Sequence, residues 1–263
     1  LIDDLRLWGF DLVMAGNIKG FLDRYADPVT IVPEADKRNL GYKMATAYTD
    51  GTKLSIEMAL LANACGLSTA VPGMYGPRAK SVNDVFDLFD FASIHATGQP
   101  VVDYILGAKP DGGVFAIGHC EHAYQRTMLT YYKMGDGPFY LFYRPYHLCH
   151  VEAMEGIAAA CLDGRSVLQP DHGLRTNVIA YAKRPLRKGD ALDGIGGFTC
   201  YGMIENVDAD APDAGLPIGL AEQVTLVRDV PKDGRIRMAD IRADRKRLDF
   251  DLHARNIASP TST

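Results

Sequence analysis

The sequence predicts an α+β fold, with a mixed region of helices and strands at residues 16–164 and a small, mostly β module at 165–253. Three observations predict it. Before residue 164, apolar residues recur at helical spacing in several stretches, with short strand-like runs between them and no internal repeat. From Arg165 onward, short apolar runs punctuated by Gly and Pro replace the helical patterns. Inside that second region lies a loose duplication. Val178 to Lys183 precedes Arg184 to Gly189, and Val224 to Arg228 precedes Asp229 to Gly234, so that each time a strand ends in a base and a turn glycine comes six residues later.

Ile2, Leu5 and Trp8 keep helical spacing up to Gly9, and Asp11 to Ala15 reads as a short buried strand running into a loop, Gly16 to Gly20. The chain starts with Leu1, so this is the tail of a helix-strand unit whose beginning is missing. Pro33 to Asn39 reads as a short polar helix with Pro at an early position, and Tyr42 to Thr49 leads into the longest apolar helix, Leu54 to Cys65, which Gly66 ends. Pro72 to Pro77 is a rigid turn. Ser81 to Asp90 is an amphipathic helix carrying Val82, Val85, Phe86, Leu88 and Phe89. Strands are expected at Val101 to Leu106 and Gly113 to Ile117, then a helix from Glu121 to Met134. Phe139 to Tyr143 is aromatic and strand-like. Pro145 disfavours helix at Arg144, so Arg144 and His147 sit on a bend before a helix from about Leu148 to Leu162. Asp163-Gly164 is the turn into the β module, and 254–263 reads as a frayed tail.

Composition narrows the function. The chain has 263 residues, 47% hydrophobic and 23% charged, which is ordinary for a globular protein with more than one core. A formal net charge of −5 offers no basic footprint for nucleic acid or an anionic membrane, so a small molecule is the expected partner. Five Cys without a CxxC pair suit free thiols and a cytoplasmic setting. No apolar stretch reaches the roughly 20 residues of a membrane span.

Four basic groups and one carboxylate stand out. Asp50 suits the N-cap of the long apolar helix, and Lys53 then lies where the helix macrodipole is positive, either paired with Asp50 or presented to a bound anion. Lys19 follows a strand between glycines that allow close approach of a ligand. Arg144 supplies a fork for carboxylate or phosphate, and His147 titrates near neutrality. Together they suit an acidic or phosphorylated substrate, and a Lys of depressed pKa can shuttle the proton of an alcohol being oxidised. His119-Cys120-x-His122 and His147-x-Cys149-His150 contain metal-ligating residue types without the spacing of a structural zinc module, so no metal site is assigned. No GxSxG motif and no GxGxxG fingerprint occur.

Asp50-Gly-Thr-Lys53, Glu57-Met58, Ala62-Asn63-Ala64, Val71-Pro-Gly-Met74, Gly76-Pro77, Met134-Gly-Asp-Gly-Pro138 and Phe142-Tyr-Arg-Pro-Tyr-His-Leu148 follow one another in this order. In this the chain resembles the homoserine-dehydrogenase-like oxidoreductases with a C-terminal SAF domain, a group that includes deoxyxylulose-phosphate reductoisomerase-like enzymes. Ala182 to Gly189, Leu216 to Ala221 and Leu226 to Val230 resemble the SAF part, a β-clip module. The resemblance implies a Rossmann domain binding NAD or NADP, a central catalytic and dimerisation region, and the SAF module, with residues 1–15 a remnant of the nucleotide-binding domain. It places Lys19, in the loop Ala15-Gly-Asn-Ile-Lys19, and Lys53 at the active site. The expectation is the C-terminal part of an NAD(P)-dependent oxidoreductase of a small polar, anionic hydroxy or keto compound, inactive by itself and homo-oligomeric. Lys19, Lys53 and Asp50 are its catalytic candidates, and Asn63, Arg144 and His147 bind substrate. A sugar-binding SAF protein and a metal-dependent lyase or isomerase are the alternatives.

Overall fold

A computed structural model of the chain describes residues 1–109, 112–146, 148–207, 214–244 and 246–258. The fold is α+β. In chain order the elements are α1 (Ile2–Leu7), β1 (Asp11–Lys19), α2 (Val32–Lys37), α3 (Tyr42–Thr49), α4 (Thr52–Cys65), β2 (Ser68–Thr69), a 3-10 turn (Val82–Asp84), α5 (Val85–Leu88), α6 (Phe91–Ala96), β3 (Val101–Leu106), β4 (Val114–His119), α7 (Ala123–Tyr131), β5 (Phe139–Arg144) and α8 (Cys149–Leu162). There follow β6 (Thr176–Ala182), β7 (Ala191–Asp193), β8 (Cys200–Asn206), β9 (Glu222–Leu226), β10 (Ile241–Arg242) and α9 (Leu248–Ala258), with 3-10 turns at Ile218–Leu220 and Met238–Asp240. Among the described residues no helix is long and apolar enough to cross a membrane.

Two compact units form, and neither is continuous in sequence. The first takes residues 1–21, 64–70 and 74–171, and the second 22–63, 71–73 and 172–263.

The first unit is a five-stranded mixed sheet of order β2-β3-β1-β4-β5. β1 runs parallel to β3 and antiparallel to β4, so both its edges are paired. This corrects the expectation of a short strand that ends at Ala15 in a loop. The strand runs on through Gly16 to Lys19. Gly16 sits opposite Asp103 on one side and Phe115 on the other, and a Cβ there would lie 2.4 Å from the Phe115 ring and 2.8 Å from the Asp103 carbonyl. It is a packing glycine and not a turn glycine. One core gathers Met14, Ile18, Val101, Ile105, Phe115 and Ile117 beneath Val82, Val85, Phe89 and Phe91. A separate cluster is built from Leu5, Phe10, Ala116, Cys120 and Tyr140. The helix expected over 81–90 is broken. Phe89 turns extended, and Asp90 accepts from Ser93 N at 3.0 Å to cap a new helix, α6.

In the second unit, β6 pairs β8, and β9 lies between β10 and β7. The duplication seen in the sequence closes on itself. The Ala182 amide donates to Gly234 O at 3.0 Å, the Gly189 amide donates to Leu226 O at 2.8 Å, and Leu186 and Val230 exchange two bonds of 2.9 Å. Each strand therefore pairs with the turn that follows the other. α4 lies along β6, pinned near both ends: Thr52 Oγ1 accepts from Gly202 N at 2.8 Å, and Asn63 holds Thr176. Eleven helical residues rise about 16 Å, close to the roughly 13 Å from Thr176 to Ala180, the register partner of Gly202, so helix and strand match in length.

Gly16→Ala is expected to lower stability by about 1–3 kcal/mol through overpacking. Urea unfolding midpoints check it. Phe115→Leu in the same chain should restore only part of the loss, because the Asp103 carbonyl still obstructs the added methyl.

Candidate active site

Parallel strands β1 and β3 finish together, Lys19 in register with Leu106 and the Gly107 amide donating to Lys19 O at 2.8 Å. β5 runs antiparallel to β4 and so parallel to β1. In register, Val114 faces Asn17 on one side and Arg144 on the other, so Arg144 is level with Asn17, and Lys19, two residues further along β1, lies at the same end of the sheet roughly 12 Å from Arg144. The chain after the 72–77 turn joins them. Arg78 bridges Leu106, and the Lys109 amide donates to Lys80 O at 3.0 Å. Lys19 is half-buried, while Arg78, Lys80, Lys109 and Arg144 are exposed. This carboxyl end of the sheet thus carries five cationic side chains. Glu152 stands 3.4 Å from Arg144, and its other oxygen accepts from Leu148 N at 3.0 Å ahead of α8. Asp84 accepts from the Lys80 and Ser81 amides, and these bonds hold its carboxyl below the usual range.

The turn leading into the Arg78–Lys80 segment is held by Asp103, a polar residue inside an apolar strand. It is fully buried, and its carboxylate accepts from Tyr75 N at 3.0 Å, Gly76 N at 2.9 Å and Tyr104 N at 2.7 Å. Burial pushes its carboxyl above the usual range, although the three backbone donors pull the other way.

Asp50, Lys53 and Asn63 belong to the second unit. Asp50 Oδ1 accepts from Thr52 N at 2.8 Å at the start of α4, as its N-cap position predicts. Its ionic partner is Lys183, and not Lys53: Lys183 Nζ lies 2.9 Å from Asp50 Oδ2, with both side chains buried. The Lys183 ammonium also donates to Ala26 O at 2.6 Å and Gly197 O at 2.8 Å. Lys53 pairs with Glu57, one helical turn on, and sits 5.9 Å above the Tyr48 ring. Asn63 accepts from the Arg175 and Thr176 amides at 3.0 and 2.8 Å and donates to Thr176 O at 3.0 Å. Its amide fastens β6 to α4. His147 lies outside the described residues.

In the first His-Cys cluster the side chains take separate partners. Cys120 Sγ donates to Gln125 Oε1 at 3.2 Å, and His122 caps α7 by accepting from Gln125 N at 3.4 Å. Among the described residues, the donors that come together in a metal-binding arrangement are Asp11, His95 and His119, at the other end of β1. Burial pushes the Cys200 thiol up to about 12, which leaves it no nucleophilic thiolate at neutral pH.

Compared with known proteins, residues 1–153 match the family model described as the catalytic domain of oxidoreductase DRL. The match covers more than half of the chain, and the chain belongs to that family. No curated protein matches it.

Two outcomes are expected. Lys183→Met should cost about 3–5 kcal/mol, because it strands a buried carboxylate; Asp50→Asn combined with Lys183→Met should cost less than Lys183→Met alone in chemical denaturation. The raised Asp103 carboxyl means that the folded state binds this proton more tightly than the unfolded chain does. Its contribution to stability therefore falls as pH rises above about 4, so the stability difference between the chain and Asp103→Asn should shrink from pH 4 upward.

Proposed function

From membership in this oxidoreductase family we propose that the chain binds a small anionic hydroxy or keto compound, of the sugar-phosphate or amino-acid-derived kind, at the carboxyl end of the first unit's sheet. The observation that carries the proposal is the placing of Lys19, Arg78, Lys80, Lys109 and Arg144 at one end of this sheet, at or just beyond the ends of parallel strands, where open sheets commonly bind ligands. Arg144 offers a fork for carboxylate or phosphate, and its contact with Glu152 keeps the guanidinium at the end of β5. Lys19 is the half-buried cation of the set, and we assign it the proton of the reacting hydroxyl or the charge that develops on its oxygen. In the second unit, Asp50 and Asn63 hold α4 in place, Asp50 through Thr52 and Lys183 and Asn63 through the Arg175–Thr176 backbone.

NAD or NADP is the proposed hydride partner, a reading that rests on the family resemblance. The described residues do not fit a dinucleotide cradle, since coil follows β1 and no glycine-rich turn after it opens a helix. The C-terminal β module is proposed to be SAF-like, which the reciprocal pairing of its duplicated turns supports. A homo-oligomer is proposed through α8, which exposes Val151, Met154, Ile157 and Leu162 and buries Ala159.

Lys19→Met should lower kcat about 100-fold or more. Arg144→Ala should act mainly on KM, about tenfold or more, a loss typical of a charged hydrogen bond. Nicotinamide absorbance with a panel of sugar phosphates and small hydroxy acids measures both. Equal activity in both variants would overturn the assignment of the site.

A further inference from the structure

Asp11 opens β1, His119 closes β4, and the antiparallel register sets the two opposite each other. His95 reaches them from the last turn of α6. Asp11 Oδ2 lies 3.7 Å from His95 Nε2 and 3.6 Å from His119 Nδ1, and one donor atom from each residue falls within 4.8 Å of the others. We propose that these three side chains bind a divalent transition-metal ion of the zinc type.

His119 is the independent reason. It is 5% exposed, and its Nδ1 is buried without a hydrogen-bond partner while facing the Asp11 carboxylate. Buried nitrogens in native structures are almost always satisfied, and an ion on this lone pair satisfies it. The surroundings fit a ligand set. His95 and His119 pack with ring centroids 3.9 Å apart, and Phe139 backs them at 6.0 and 5.1 Å, which restrains both imidazoles. Glu121 Oε1 lies 3.6 Å from His119 Nε2, placed as the outer carboxylate that orients a ligating histidine. Metal–nitrogen bonds of about 2.0 Å put tetrahedral donors roughly 3.3 Å apart, so the observed 3.6 and 3.7 Å need a closure of a few tenths of an ångström. Two imidazoles with one carboxylate favour zinc, cobalt or nickel over magnesium or calcium.

Three protein ligands leave a coordination position open. Asp11 and His95 also line a cavity of about 370 Å³ walled by Arg6, Phe10, Ile94 and Gln99, which has room for a water or a small anion beside them. The site lies eight residues along β1 from Lys19, roughly 26 Å, so it stands or falls independently of the proposed anion site.

The test uses the untagged chain, stripped with chelator and titrated with zinc chloride by calorimetry and with cobalt chloride by visible absorption. One ion per chain is expected, with the d–d bands of a low-coordinate cobalt site and a higher thermal midpoint in zinc. Asp11→Asn and His95→Asn, both at accessible positions, should each weaken binding by about tenfold or more. They carry the test, since the buried His119→Gln can fail to fold. Absence of saturable binding to the parent chain would overturn the proposal. So would binding that both variants leave unchanged, which places the ion on other histidines or cysteines.

Discussion

β1 is hydrogen-bonded along both edges, and the first unit depends on that double pairing. The parallel register with β3 brings Lys19 level with Leu106, and the antiparallel register with β4 sets Asp11 opposite His119. A slip of one residue along either edge would turn every side chain of the strand to the other face and scatter both groups. Gly16 makes the register possible, because neither the Phe115 ring nor the Asp103 carbonyl leaves room for a Cβ. Packing in the middle of one strand thus fixes the chemistry at its two ends: cations at the carboxyl end and a histidine-carboxylate cluster at the amino end.

The second unit relies on a different device. α4 is apolar enough to be buried, but apolar contact alone does not fix its position along a strand. Polar clips near each end do so, Thr52 to Gly202 and Asn63 to the Arg175–Thr176 backbone, and the buried Asp50–Lys183 pair ties the start of the helix to the end of β6. A buried pair of this kind is weak evidence of net stability but strong evidence of uniqueness here, since Lys183 also bonds the carbonyls of Ala26 and Gly197.

Local patterns were legible in the sequence where they were decisive. The α+β class, the helices α4 and α8 and the strands β3, β5 and β6 follow from periodicity and turn residues, and the duplication after Arg165 marks two turns that prove to pair reciprocally. What was not legible depends on partners distant in sequence. Gly16 looks like a loop signal because nothing local reveals that Phe115 packs over it. Asp103 looks like an interruption in an apolar strand until the Tyr75 and Gly76 amides are seen to need its carboxylate. Lys183 stood in view as the base ending a strand, and only the fold shows it buried against Asp50. His95 and His119 are 24 residues apart and meet through the sheet, so spacing rules for local metal motifs could not join them. The cations Lys19 and Arg144 were found from strand ends and a Pro-bend, while Arg78, Lys80 and Lys109 joined them through pairing at the edge of β3.

The central claim is that the sheet's carboxyl end holds an anion, and amide chemical shifts of the ¹⁵N-labelled chain during titration with inorganic phosphate test it most directly. Saturable shifts at residues 18–20, 78–80, 107–109 and 143–144, with none along the middle of β1, are the predicted result. Shifts that never saturate, or that gather elsewhere while these amides stay still, would contradict it.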